Sequence, residues 1–149
     1  MISLVVACTA QQANSKPAVL HNVRDRFVGA WQLVRLEAPD HGGTRTEAPR
    51  PKGMLIYTRD GHMSVQLMYP DVAKASDNEY VRNAYESSFG SYAVNEAAHT
   101  VTHHVEGSIT REALIGKDLP RIYRFTEDGH LILRSANPSE KWSVTWEHQ

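Results

Sequence analysis

The chain is predicted to be all-β, an antiparallel meander closed into a small barrel of about eight or nine strands with one short helix. Three observations predict it. Residues 52–69 read as two strands on either side of Asp60-Gly61, a pair that marks a tight hairpin turn. The same chemistry returns at Thr126-Glu127-Asp128-Gly129-His130. The remaining segments show neither βαβ alternation nor a helical repeat, which leaves an antiparallel sheet. Closing such a sheet removes the exposed edges it would otherwise present. A closed sheet has an inside, and an inside is a place for a ligand.

The elements follow in order. Residues 1–23 are polar and aperiodic behind a short apolar start, and form a signal-like remnant and linker; residues 24–149 form the domain. Arg24 to Phe27 reads as a turn of helix leading into Gly29. Residues 31–38 are a strand, ended by Pro39-Asp40-His41-Gly42-Gly43. Residues 44–47 are a weak edge strand stopped by Pro49 and Pro51, since proline cannot donate to a ladder. Ser76-Asp77-Asn78-Glu79 caps a predicted helix to about residue 87, with Tyr80, Val81, Ala84 and Tyr85 on one side. Residues 89–95 and 100–107 form another hairpin. Residues 108–119 are irregular, and 121–126, 130–135 and 141–147 are the last strands.

The two Asp-Gly turns set the register. A three-residue loop in the second hairpin groups Tyr123, Phe125, Leu131 and Leu133 and leaves Arg124 and Arg134 opposite, whereas a two-residue loop mixes arginine with leucine and phenylalanine. A one-residue slip inverts every side chain, so the three-residue loop is preferred. Applied to the first hairpin, it groups Leu55, Tyr57, Met63, Val65 and Leu67.

Bulk composition excludes several classes. With 149 residues, 41% hydrophobic and 22% charged, the chain is one ordinary globular domain. A formal net charge of -1 makes no case for nucleic acid or an anionic membrane surface. No stretch approaches the roughly 20 apolar residues that span a bilayer. The single cysteine, Cys8, rules out an intramolecular disulfide. It follows Leu4-Val5-Val6-Ala7 and precedes a polar tether, and so resembles the lipobox of bacterial lipoproteins. A signal needs a basic region and about 7–15 apolar residues, and only a stub precedes Cys8. Two readings stand: a start upstream of Met1 with a lipid anchor at Cys8 and an extracytoplasmic barrel, or a frayed terminus with an idle thiol and a cytoplasmic one.

Four segments carry a further resemblance. Phe27-Val28-Gly29-Ala30-Trp31-Gln32-Leu33 has a Gly-x-Trp opening. The others are the first hairpin from Lys52 to Ser64, Gly90-Ser91-Tyr92-Ala93-Val94-Asn95, and Thr102-His103-His104-Val105-Glu106-Gly107-Ser108. Together they resemble the bacterial and fungal lipocalin-like domain family, over the whole domain from about Arg24 onward. The resemblance implies a compact calycin-type β-barrel with a central pocket, its Trp plugging one end. It implies a fold more than a function, because the family has no single activity. The further motifs of secreted lipocalins are missing, so their transport role is not implied.

Candidate chemistry is sparse. His103 and His104 are adjacent and point to opposite faces of a strand, so they do not share a metal. His103 falls with Val101 and Val105 and is expected inside, either orienting a ligand or acting as a base near neutral pH, or else as a core histidine satisfied by a hydroxyl such as a tyrosine's. Tyr57, Tyr92 and Tyr123 fall on interior faces and offer an apolar ring with one hydroxyl each. Arg35, on the face of Trp31 and Leu33, is an end-of-barrel charge or a clamp for a ligand carboxylate. His104 and Glu106 with His62 or His130 lack a metal-site spacing and read as a solvated face. There is no Gly-x-Ser-x-Gly elbow and no phosphate- or dinucleotide-binding loop, so no cofactor is implied.

Three functions remain open. The first is a barrel binding a small, largely apolar organic molecule through Tyr57, Tyr92, His103, Tyr123 and Arg35. The second is a cyclase or isomerase on a hydrophobic substrate with His103 as general base. The third is a structural or interaction domain whose barrel is filled with side chains.

Overall fold

Among the described residues nine strands form one antiparallel sheet in the order β2-β1-β3-β4-β5-β6-β7-β8-β9, and an additional β1–β9 pairing closes it. A computed structural model describes residues 22–39, 45–47, 51–69 and 77–149. The strands are β1 (Gly29–Pro39), β2 (Arg45–Glu47), β3 (Lys52–Tyr57), β4 (His62–Met68), β5 (Tyr85–Asn95), β6 (Thr100–Ser108), β7 (Asp118–Phe125), β8 (Leu131–Ser135) and β9 (Ser143–His148). β1 pairs with β3 through its first half and with the short β2 through its last residues, while β9 runs along its other edge. Eight strands therefore make the ring and β2 is an appendage. Cys8 and the polar tether lie outside the described residues.

Both Asp-Gly turns are three-residue loops. In the first, the Thr58 N–H donates to the His62 carbonyl at 2.9 Å and the Gly61 N–H donates to the Thr58 carbonyl at 3.1 Å. Gly61 has φ of 102°, a left-handed conformation that a side chain would strain. The turn at Thr126 repeats both bonds, at 2.9 and 3.2 Å, with Gly129 at φ 88°. The resulting register pairs Tyr57 with Met63, Leu55 with Val65, and Tyr123 with Leu133. All six side chains are buried, as the turn argument requires.

The helix is not where the strongest helical pattern lies. Residues 77–84 are irregular, and β5 begins at Tyr85. The Asn78 side chain accepts from the N–H groups of Tyr80 and Val81, and Asp77 accepts from Asn83, so local side-chain bonds take the donors a helix would use. Asn83 and Ala84 both have positive φ, 51° and 69°, and turn the chain so that Arg82 and Tyr85 pair with each other. The one α-helix among the described residues is α1 (Val23–Phe27), capped by the Asn22 side chain accepting from the Arg24 N–H at 3.0 Å.

α1 carries Phe27 into one end of the ring. Its ring lies 5.4 Å from Tyr57, 5.0 Å from Tyr123 and 5.1 Å from Phe125, all edge-on, and 6.5 Å from Tyr92. The Trp31 Nε1 donates to the Phe27 carbonyl at 2.7 Å, so strand and plug are locked together. Arg24 sits over Tyr92, Arg26 over Phe125, and Arg59 reaches Asp25 at 3.2 Å. This end of the barrel is solid with aromatic rings.

Phe27 is 0% exposed. Phe27→Ala is expected to cost about 3–5 kcal/mol, measured by urea unfolding, because it opens a cavity beneath four rings. A loss below about 1 kcal/mol would show that the plug does not hold this end shut.

Candidate functional site

The interior stays open at the other end. Above the aromatic layer is a cavity of about 390 Å³. Its walls are mainly apolar: Leu36 from β1, Leu55 from β3, Val65 and Leu67 from β4, Leu133 from β8 and Val144 from β9. Glu79, Tyr80 and Val81 from the segment before β5, and Glu140 and Trp142 from the β8–β9 connection, lie across its mouth. The polar groups that reach it come from adjacent strands: Glu86 on β5, His103 on β6 and Arg121 on β7.

His103 faces inward with Val101 and Val105, as its alternation predicts, and all three are buried. Its Nε2 is 2.6 Å from the buried Tyr57 hydroxyl. The phenol stays protonated, because burial raises it far above its ordinary range. That hydroxyl needs an acceptor, and among the described residues Nε2 is its only partner, so Tyr57 donates and the ring proton sits on Nδ1. Burial, helped by the nearby Arg121 and His104 charges, pushes His103 down from 6.5 to about 3. The expectation of a near-neutral histidine is therefore corrected: the imidazole is neutral and a weak base. His103 is at once a core histidine satisfied by a tyrosine and a wall of the cavity.

Arg121 is 6% exposed and always charged. Its guanidinium lies over the Tyr80 ring at 4.8 Å and the Trp142 ring at 4.7 Å, and donates to the Tyr80 hydroxyl at 3.4 Å. No carboxylate oxygen among the described residues is within 4.0 Å of it. The two rings are held by Glu140, which accepts from the Tyr80 hydroxyl at 2.8 Å, the Trp142 Nε1 at 3.1 Å and Asn137 at 3.1 Å. Burial opposes the Glu140 charge, but the hydrogen bonds from Tyr80, Ser135 and Trp142 outweigh it and hold the carboxyl below its usual range. Burial raises the Glu86 carboxyl, partly offset by the Arg121 charge.

The other residues expected in the site are elsewhere. Tyr57 stands behind His103, outside the cavity wall. Tyr92 and Tyr123 face inward but belong to the aromatic layer around Phe27, and the Tyr92 hydroxyl donates to the Thr58 carbonyl at 3.0 Å. Arg35 is on the outer face. The β1–β9 register shifts between Leu33 and Arg35, so Val34 is the extra residue of a bulge; it is 48% exposed, and the alternation inverts after it. Arg35 pairs with Glu37 at 2.6 Å. His104, also outward, bonds the Asp118 carboxylate.

Arg121 and Glu86 were missed by the sequence reading. Arg121 was within reach, because it is two and four residues from Tyr123 and Phe125 on the same strand face. Glu86 was hidden inside the predicted helix.

A closed antiparallel ring with an aromatic plug at one end and a cavity at the other defines a lipocalin-type barrel. The chain belongs to the lipocalin-like domain family, whose model matches residues 28–148. No curated protein matches it. Among solved structures, a crystal structure of a mutant of the fluorescent protein UnaG is similar, with a TM-score of 0.41 and 11% identity, covering 83% of this chain and 96% of that one.

The depressed His103 predicts a pH effect. Above 6.5 neither state holds its proton; below that the unfolded chain binds a proton the folded chain refuses. Stability therefore falls as pH drops from 6.5 toward about 3. In urea titrations across this range, His103→Gln should lose stability less steeply than the parent. Parallel slopes would place the acid sensitivity elsewhere.

Proposed function

We propose that the protein binds a small, largely apolar organic molecule inside the barrel. The observation that carries this reading is the cavity itself: about 390 Å³ of space between the aromatic layer and the mouth, walled by leucine and valine with a few polar groups from three adjacent strands. Protein interiors are otherwise packed as densely as crystals, so a void of this size is costly unless something occupies it. Its size and lining are those of small-molecule sites, which begin at about 300 Å³. The family supports the same reading at the level of architecture.

The alternatives fit the geometry less well. A barrel filled with side chains would leave no such space. A general base needs a pKa near the working pH, and a histidine held down at about 3 is far from it. His103 is better suited to orienting a ligand through its Nδ1–H.

The neutral, environment-sensitive dye Nile red tests the reading. It is expected to bind stoichiometrically with a blue-shifted, enhanced emission. Val65→Trp projects an indole into the cavity from β4 and should weaken binding at least about tenfold while the β-sheet circular dichroism is kept. Emission unchanged from free dye, or binding indifferent to that substitution, would refute an internal site.

A further inference from the structure

We infer that the ligand is an amphipathic carboxylate, its acid group held by Arg121 and its apolar tail lying against Leu55, Leu67 and Leu133. This rests on the ligand-binding reading above and specifies the head group. Four observations lead to it.

The first is charge. Arg121 is a buried cation facing an apolar cavity with no carboxylate in contact among the described residues. An uncompensated buried charge is strongly unfavourable, and native proteins pair such groups. A ligand anion would complete the pair.

The second is direction. The faces of the guanidinium are taken by Tyr80 and Trp142. What remains are the in-plane N–H donors along its edge, only one of which makes a long bond to the Tyr80 hydroxyl. That planar fork matches the two oxygens of a carboxylate.

The third is the character of the neighbours. His103 lines the same cavity, and with Tyr57 donating to Nε2 its Nδ1 presents a proton. Nδ1 has no acceptor among the described residues. Glu86, also in the wall, has its carboxyl raised by burial, against the opposing pull of the Arg121 charge, so burial disfavours a competing negative charge there. A cluster of donors calls for an acceptor-rich head group.

The fourth is support. Arg121 is set from both sides of the mouth, by Tyr80 on the segment before β5 and by Trp142 on the β8–β9 connection, and Glu140 hydrogen-bonds both rings. The cation is thus held in one orientation before any ligand arrives, which lowers the entropy cost of binding.

The test compares head groups on one tail. Decanoate, decanol and decyltrimethylammonium are titrated against the parent protein, reading displacement of Nile red. Decanoate is expected to bind at least about tenfold more tightly than decanol, and the cation more weakly than either. Arg121→Leu is expected to keep the fold, since replacing a buried charge with an apolar side chain is commonly neutral or stabilising. It should lower decanoate affinity at least about tenfold and leave decanol unchanged, abolishing the preference. Equal affinity for decanoate and decanol in the parent, or a preference that survives Arg121→Leu, would overturn the carboxylate while leaving the apolar site intact. Failure of the parent to bind Nile red or any of the three would overturn both readings. The head-group comparison needs no variant, so a misfolded Arg121→Leu would not shelter the inference.

Discussion

Phe27 is the piece on which the interior depends. An eight-stranded ring has little space to share out, and whether that space is a site depends on where the bulky side chains gather. A five-residue helix delivers one ring into the centre of Tyr57, Tyr92, Tyr123 and Phe125, and Trp31 ties it down through the Phe27 carbonyl. Five aromatic rings are thereby gathered at one end. At the other, leucines and valines make up most of the apolar wall, and the cavity is what remains. Plug and pocket are two consequences of one distribution of side-chain sizes.

The polar chemistry follows from the same asymmetry. The charged and polar groups of the cavity take their roles from what surrounds them. His103 is neutral because it is buried beside a cation, and Tyr57 orients it. Arg121 cannot discharge, so aromatic faces and a tyrosine hydroxyl make up for part of its lost hydration. Glu140 stays outside the cation's immediate reach and works through the rings that hold it. The result is a site with donors to offer, in which the Tyr80 hydroxyl is the one acceptor that meets Arg121 among the described residues.

Much of this was legible in the sequence, and the failures have identifiable causes. The two Asp-Gly turns carried the register because Gly at a left-handed position and a three-residue loop leave one consistent pairing, and Leu55, Tyr57, Leu131 and Leu133 are inside as a result. Alternation told which face His103 occupies. It did not tell height along the barrel axis, which is why Tyr92 and Tyr123 were expected in the pocket and are found in the plug. Arg35 was misplaced because a bulge at Val34 inverts the period, and nothing local in Leu33-Val34-Arg35 announces it. The helix at residues 76–87 had the right periodicity, but Asp77 and Asn78 are residues whose side chains compete for backbone donors, and here they prevail, taking the N–H groups of Tyr80, Val81 and Asn83. Glu86 was lost with that error. Arg121 shares the parity of Tyr123 and Phe125, so alternation alone places it inside.

The account stands on a void above the aromatic layer, and a crystal structure under xenon pressure looks for it directly. Xenon settles into dry apolar cavities without needing a polar partner. The account predicts xenon density among Leu55, Val65, Leu67, Leu133 and Val144, and none beneath Phe27. A barrel whose upper half is filled by its own side chains, with no xenon bound there, would contradict it.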